Sequence, residues 1–200
     1  MYPYNHKKGQ KIQTNAPGIS VDQAFAARVL IPAAAAVAAD TDGVHAALDG
    51  TAHAAVTTGI TNPAVPRNIT ATAGGTAGSI KAIQVTITGT NYAGEVITET
   101  LPAFTVDTAG TVAGSKAFKT VTQIDIPAHD AASATTAIGW GDIFGLPYLL
   151  EADEQVIVKL FNKSADTGTV VADADELEKN TFDPNGTPDG LKDIDLYILV

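Results

Sequence analysis

The side chains that titrate near neutrality are four histidines, His6, His45, His53 and His129. No two stand one helical turn apart, the spacing that places paired imidazoles on one metal. His45 and His53 are eight residues apart among small residues, and surface or loop positions are expected for the histidines. The chain has no cysteine, which excludes disulfides and thiolate metal sites. Its serines, Ser20, Ser79, Ser115, Ser133 and Ser164, include none in a G-x-S-x-G elbow. Gly78-Ser79 and Gly114-Ser115 read as turns before strands. The stretch Ala73-Gly74-Gly75-Thr76-Ala77-Gly78 lacks the lysine and following helix of a phosphate loop, and reads as a hairpin connection.

Two acidic segments have oxygen ligands at alternating positions, as calcium requires. They are Asp173-Ala174-Asp175-Glu176-Leu177-Glu178 and Asp183-Pro184-Asn185-Gly186 with Asp189. Neither completes a twelve-residue calcium loop, and hydrated turns are the simpler reading. Glu95 and Glu99 share one face of a strand, where solvent exposure explains them more simply than paired-carboxylate chemistry. Trp140, Tyr92 and Tyr148 are the aromatic candidates for gripping a sugar. No catalytic residue, cofactor or metal ligand is assigned, and a non-enzymatic protein is expected.

The formal net charge of −10 argues against nucleic acid, which needs a basic face. The charge is uneven. Residues 1–32 carry Lys7, Lys8, Lys11 and Arg28 against Asp22, a net of +3. Residues 151–200 carry twelve acids and four lysines, a net of −8. A basic arm ahead of an acidic body is steered towards an acidic neighbour, including another copy of the same body. Lys7, Lys8, Lys11 and Arg28, with Arg67, are therefore the candidate partner-binding residues. No apolar run reads as a membrane span, and no compact hydrophobic region follows the first lysines. A soluble chain without its own export signal is expected, and the lack of cysteine suits a reducing cytoplasm.

The elements that must position these residues are mostly strands. Pro3, Gly9, Pro17, Gly18 and Pro32 punctuate an extended N-terminal arm, residues 1–40 in the domain reading. A short helix from Val21 to Val29 is allowed, capped by Ser20 with Gln23. Residues 33–55 are rich in alanine, and the pattern leaves helix and coil open. Ile83, Val85 and Ile87 alternate with polar residues, and Thr90-Asn91-Tyr92-Ala93-Gly94 supplies a turn before the strand Glu95–Leu101. That is a β-hairpin. One further strand is expected over Ala117–Ile126, closed by Pro127. Others fit Thr135–Trp140, Gln155–Phe161, Thr169–Ala172 and Ile194–Val200. Asp173–Lys179 reads as one helical turn or a charged loop. The expected fold is all-β: a β-sandwich or jelly-roll-like body over residues 41–200 with the extended arm before it.

Three segments carry a likeness. They are Thr57-Thr58-Gly59-Ile60-Thr61-Asn62-Pro63-Ala64-Val65-Pro66-Arg67-Asn68-Ile69, the hairpin from Val85 to Thr100 with Gly114–Val121, and Gly141-Asp142-Ile143-Phe144-Gly145-Leu146-Pro147-Tyr148. In this order the chain resembles structural proteins of tailed bacteriophages, some of them head decoration, cement or head-fibre proteins. The likeness covers roughly residues 55–150 and the terminal strand. It implies a virion protein on the capsid surface, assembled in the host cytoplasm. It also implies the major capsid protein as partner and self-association, with a trimer suited to a capsid three-fold point. A tail, connector or fibre-base component and a host-glycan-binding module are the alternatives. Read without the likeness, Asn62-Pro63 and Val65-Pro66 force extended backbone, and Arg67-Asn68 can anchor that run to carbonyls or a carboxylate. Bracing of the fold is the favoured reading of that anchor.

Overall fold

One long strand, Ala134–Gly145, runs through two hydrophobic cores and organises the molecule around them. The computed structural model describes residues 25–200 together with the backbone of Lys11–Gln13 and Ser20–Asp22. The strands in chain order are β1 (Lys11–Gln13), β2 (Ser20–Asp22), β3 (Ala26–Ile31), β4 (Asp40–Asp49), β5 (Ala54–Val56), β6 (Arg67–Gly75), β7 (Thr86–Thr90) and β8 (Val96–Thr100). They continue as β9 (Gly110–Phe118), β10 (Thr120–Ile126), β11 (Ala134–Gly145), β12 (Val156–Phe161), β13 (Ser164–Ala165), β14 (Thr169–Val171), β15 (Thr181–Asp183) and β16 (Ile194–Leu199). Helix among the described residues is confined to single 3-10 turns, such as Ala33–Ala35 and Leu177–Lys179. The fold is all-β, as expected, and its sheets are antiparallel.

The largest sheet places β6 on one side of β11 and both β4 and β15 on the other. A second sheet, ordered β5-β10-β7-β8, packs across the first half of β11. Ile87, Ile124 and Val121 from the second sheet meet Ile69, Ala71, Val44 and Ile138 from the first in one core. A third sheet, ordered β13-β12-β16-β3, packs across the far end of β11. There Ile31, Val156, Ile194, Leu196 and Ile198 enclose Phe144, Leu146 and Phe182. Each fully buried Leu, Ile or Phe contributes about 1.5–3 kcal/mol to folding.

Threonine is abundant because its hydroxyls pair across strands as well as its methyls packing. Thr86 meets Thr100 at 3.0 Å, Thr90 meets Thr120 at 2.7 Å and Thr72 meets Thr111 at 2.8 Å. Such cross-strand pairs are worth about 0.2–1 kcal/mol each.

The hairpin read from the alternation is β7–β8, with Thr86 opposite Thr100 and Thr90 opposite Val96. The terminal strand is β16, pinned between β12 and β3. Several expectations are corrected. The helix over Val21–Val29 is replaced by strand at Ser20–Asp22 and Ala26–Ile31. Ala27, Val29 and Ile31 turn inward at alternate positions, and β3 pairs along its whole length with β16. Residues 26–31 therefore belong to the body, and the arm reading to residue 40 runs too far. The single strand over Ala117–Ile126 is two strands: β9 pairs with β6, β10 with β7, and the chain changes sheet at Lys119. The glycine-rich stretch is not a hairpin connection. β6 ends at Gly75, beside Ala134 of β11, and the chain then crosses to the second sheet. Part of the undecided stretch 33–55 is the ten-residue β4.

Candidate functional site

The outer face of the third sheet is the strongest candidate for contact with a partner. Alternation sends Ala27, Val29 and Ile31 of β3 into the core, so Ala26, Arg28 and Leu30 face out. Register places Leu30 beside Asp195, and Arg28 beside Tyr197. Across β16, Asp195 pairs with Leu160 and Tyr197 with Val158. The ladder skips Ile157, which is 51% exposed. Leu30 is 47% exposed and Val158 37%. An apolar surface spanning three strands is unusual on an isolated domain and marks contact surfaces. The charges on it are already matched: Arg28 donates through Nε and Nη2 to the two carboxylate oxygens of Asp195, at 2.8 and 2.7 Å. That pairing raises the guanidinium pKa.

One corner of this face is acidic. Glu151, Asp153 and Glu154 are exposed just before β12, and Gln155 Nε2 donates to the carbonyl of Leu199 at the end of β16. Phe25 and Val200 exchange backbone hydrogen bonds at the same end of the sheet. The segment carrying Lys7, Lys8 and Lys11 thus joins the body at the acidic corner. Lys7 and Lys8 lie outside the described residues, and only the backbone of Lys11 is described, in β1.

Arg67, grouped with the partner-binding cations, is corrected. It is 1% exposed, with Nη1 donating to the carbonyl of Val37 and Nη2 to Asp142 Oδ1, both at 2.8 Å. Burial lowers its pKa to about 10 against the pull of Asp142. Its neighbour Asn68 is equally internal: Nδ2 donates to the carbonyl of Gly114 and Oδ1 accepts from the amide of Ile143. Both bonds fall where ladder register slips, in β9 and in β11, so one side chain satisfies two irregular strands. The anchoring expected of Arg67-Asn68 is present and braces the fold, the reading favoured for it from the sequence. The three segments that carried the likeness also meet. Asn62 Oδ1 accepts from the amide of Val121, and the amide of Gly145 donates to the carbonyl of Pro66.

The other candidates are spent internally. Asp173 Oδ1 accepts from the amides of Asp175 and Glu176, and Lys179 neighbours both Asp173 and Glu176. The amides of Glu176 and Asp175 hold the Asp173 carboxyl below its usual range. Lys116 Nζ lies 3.0 Å from both Glu176 and Glu178. Burial pulls the Lys116 pKa down, but these carboxylates outweigh it and the net shift is upward. Burial likewise pushes Glu178 up, yet its own amide, Lys116 and Asn91 bring it below its usual range. In the other acidic segment, Asp166 accepts from the amides of Asn185 and Gly186, and Asp189 pairs with Lys192. Among the described residues, no group of three or more His, Asp or Glu side chains is placed to hold a metal ion.

Glu99 is not simply solvated: Oε1 accepts from the amide and hydroxyl of Ser115, tying β8 to β9. Glu95 lies just before β8 and accepts from Asn91 Nδ2. His45 and His53 are surface residues, but His129 is buried. Its Nδ1 accepts from the amide of Lys81 and its Nε2 donates to Thr136, which selects the neutral ring. Burial lowers its pKa. Trp140 packs on the first core, Tyr148 on the second, and Tyr92 sits in the β7–β8 turn.

No family model, curated protein or solved structure matches the chain.

Proposed function

We propose that this chain is a structural protein of a tailed-bacteriophage particle that decorates the head, binding the outer surface where major capsid subunits meet. The observation that carries the reading is the three-strand apolar face around Leu30, Tyr197 and Val158. Two further facts support it. The segments resembling phage structural proteins bond to one another in the body, and the buried charges of Arg67 and Glu178 make bracing contacts. Among the described residues the ion pair on this face, Arg28–Asp195, is internal. Such a face suits an apolar, uncharged complement, and burying it in an assembled lattice stabilises the assembly over free subunits. The basic N-terminal segment enters at the acidic corner, from which it reaches a neighbouring acidic surface. Self-association as a trimer at a three-fold point belongs to the same reading.

The test mixes purified protein with heads lacking it and follows co-sedimentation and resistance to heat. Leu30→Glu and Val158→Glu are expected to abolish binding while leaving the free protein folded by circular dichroism. Full binding by both variants would remove the face from the mechanism. Deletion of the basic segment should stop before Phe25, because β3 is part of the third sheet.

A further inference from the structure

Lys116 of β9, Asn91 of the β7–β8 turn and Glu178 of the Leu177–Lys179 turn converge on one carboxylate. Lys116 Nζ is 3.0 Å from Glu178 Oε1, and Asn91 Nδ2 donates to Glu178 Oε2 at 3.3 Å. Asn91 is 1% exposed and Glu178 7%. Asn91 Oδ1 accepts two backbone amides, from Ala93 and Glu95, each at 3.0 Å. The remaining contacts are Asn91 Nδ2 to Glu95 Oε2 at 2.9 Å and Lys116 Nζ to Glu176 Oε1 at 3.0 Å. An amine, a carboxamide and a shared carboxylate in a largely water-excluded site are the parts of an acyl transfer.

We infer that Lys116 and Asn91 are a self-modification pair that joins as an isopeptide bond, with Glu178 carrying the protons. The ion pair first discharges: the ammonium of Lys116 gives a proton to Glu178, leaving an amine and a carboxylic acid. Burial lowers the cost of this exchange, which the attraction between the ammonium and its two carboxylates opposes. The amine lone pair then attacks Cγ of Asn91. Negative charge develops on Oδ1, where the amides of Ala93 and Glu95 already point. Glu178 passes its proton to the departing Nδ2 and takes one from Nζ. The Cγ–Nδ2 bond breaks, ammonia leaves with the surplus proton as ammonium, and Glu178 ends as the carboxylate it began. No oxidant or cofactor is needed, and the two oxygens of Glu178 hold the amine and the carboxamide on one carboxylate. Glu176 holds the lysine charged at rest, so proton transfer sets the pace. The product ties the hairpin turn of the second sheet to β9 of the first, beside the Glu99–Ser115 contact.

Intact mass measured on the denatured full chain decides the matter. The expected wild-type mass is lower than the sequence mass by one ammonia, with a branched peptide joining residues 91 and 116 after proteolysis. Lys116→Arg and Glu178→Gln should keep the full mass of their sequences. Asn91→Asp should lose water instead and end at the mass of the crosslinked wild type. A wild-type chain still at full mass after prolonged warm incubation would overturn the assignment. So would a loss of ammonia with only linear peptides, which would place the loss elsewhere, for example at Asn185-Gly186. The wild-type measurement stands even if a variant fails to fold.

Discussion

The guanidinium of Arg67 stacks over the ring of Phe144, 4.5 Å from its centroid, at the junction of the two cores. Its Nη groups hold Val37 and Asp142, while Nε is buried without a partner. The chain here accepts the cost of a buried charge to fasten the Pro32–Ala39 connection, β6 and the end of β11 together.

That asymmetry orders two substitutions. Asp142 is one-third exposed and Arg67 is not. Asp142→Ala leaves a buried cation without its carboxylate and should cost about 3–5 kcal/mol. Arg67→Met keeps the volume and the contact with Phe144 and leaves a carboxylate that water can reach. It should cost less, about 1–3 kcal/mol. Urea unfolding of both variants checks the order, and a more damaging Arg67→Met would refute it.

The β7–β8 hairpin was legible because its information is local. Ile83, Val85 and Ile87 alternate, and Asn91 closes the turn with its own side chain by accepting from Ala93 and Glu95. β4 was not legible, because Ala46, Ala47 and Gly43 give no alternation and Trp140, a hundred residues away in sequence, fixes its place. The change of sheet at Lys119 leaves no local mark, since apolar residues continue on both sides of it. The bracing role of Arg67 and its acceptors were legible beside the prolines, but its charge also grouped it with the partner-binding cations, because its burial depends on Phe144 and Val37, far away in the sequence. The outer face of the third sheet was hidden for a related reason. Ile194–Val200 reads as a strand from sequence, but only pairing with β3 and β12 shows which alternate residues stay outside.

His129 makes stability depend on mild acid. Its folded pKa lies below the ordinary 6.5 because burial disfavours the charged ring. Protons therefore bind the unfolded chain more readily, and stability falls as pH drops below about 6.5 towards the folded value. His129→Gln should flatten the slope in that window. A second loss is expected at lower pH, below about 4.5, where Asp173, Glu176, Glu178 and Asp189 lose carboxylates held below their usual range. Chemical unfolding from pH 2.5 to pH 8 separates the two. An unchanged slope in the variant would exclude His129 as the cause.

The two acidic segments should ignore calcium. Asp173 already accepts two amides and neighbours Lys179, and Asp166 draws in the amides of Gly168, Asn185 and Gly186. A cation would have to displace these partners before collecting the six or more oxygens it requires. Melting with calcium and with chelator should give the same temperature. A rise of several degrees with calcium alone would show that the turns open to bind it.

Gly43 and Trp140 test whether β4 is placed by the indole. A Cβ at residue 43 would lie 2.6 Å from the ring, closer than packed atoms tolerate. The ring is not free to leave, because its Nε1 donates to the carbonyl of Ala38 at 3.2 Å and its face packs on the first core. Gly43→Ala must therefore push β4 off β11 or break the indole's hydrogen bond. Either adjustment is expected to cost about 1–3 kcal/mol. Trp140 is the chain's only tryptophan, so its emission reports the event directly. A shift of the emission maximum should accompany the loss of stability in Gly43→Ala. It should be absent in Ala47→Gly, a change in the same strand away from the ring. Loss of stability without a change in emission would mean that the strand, and not the indole, bears the strain.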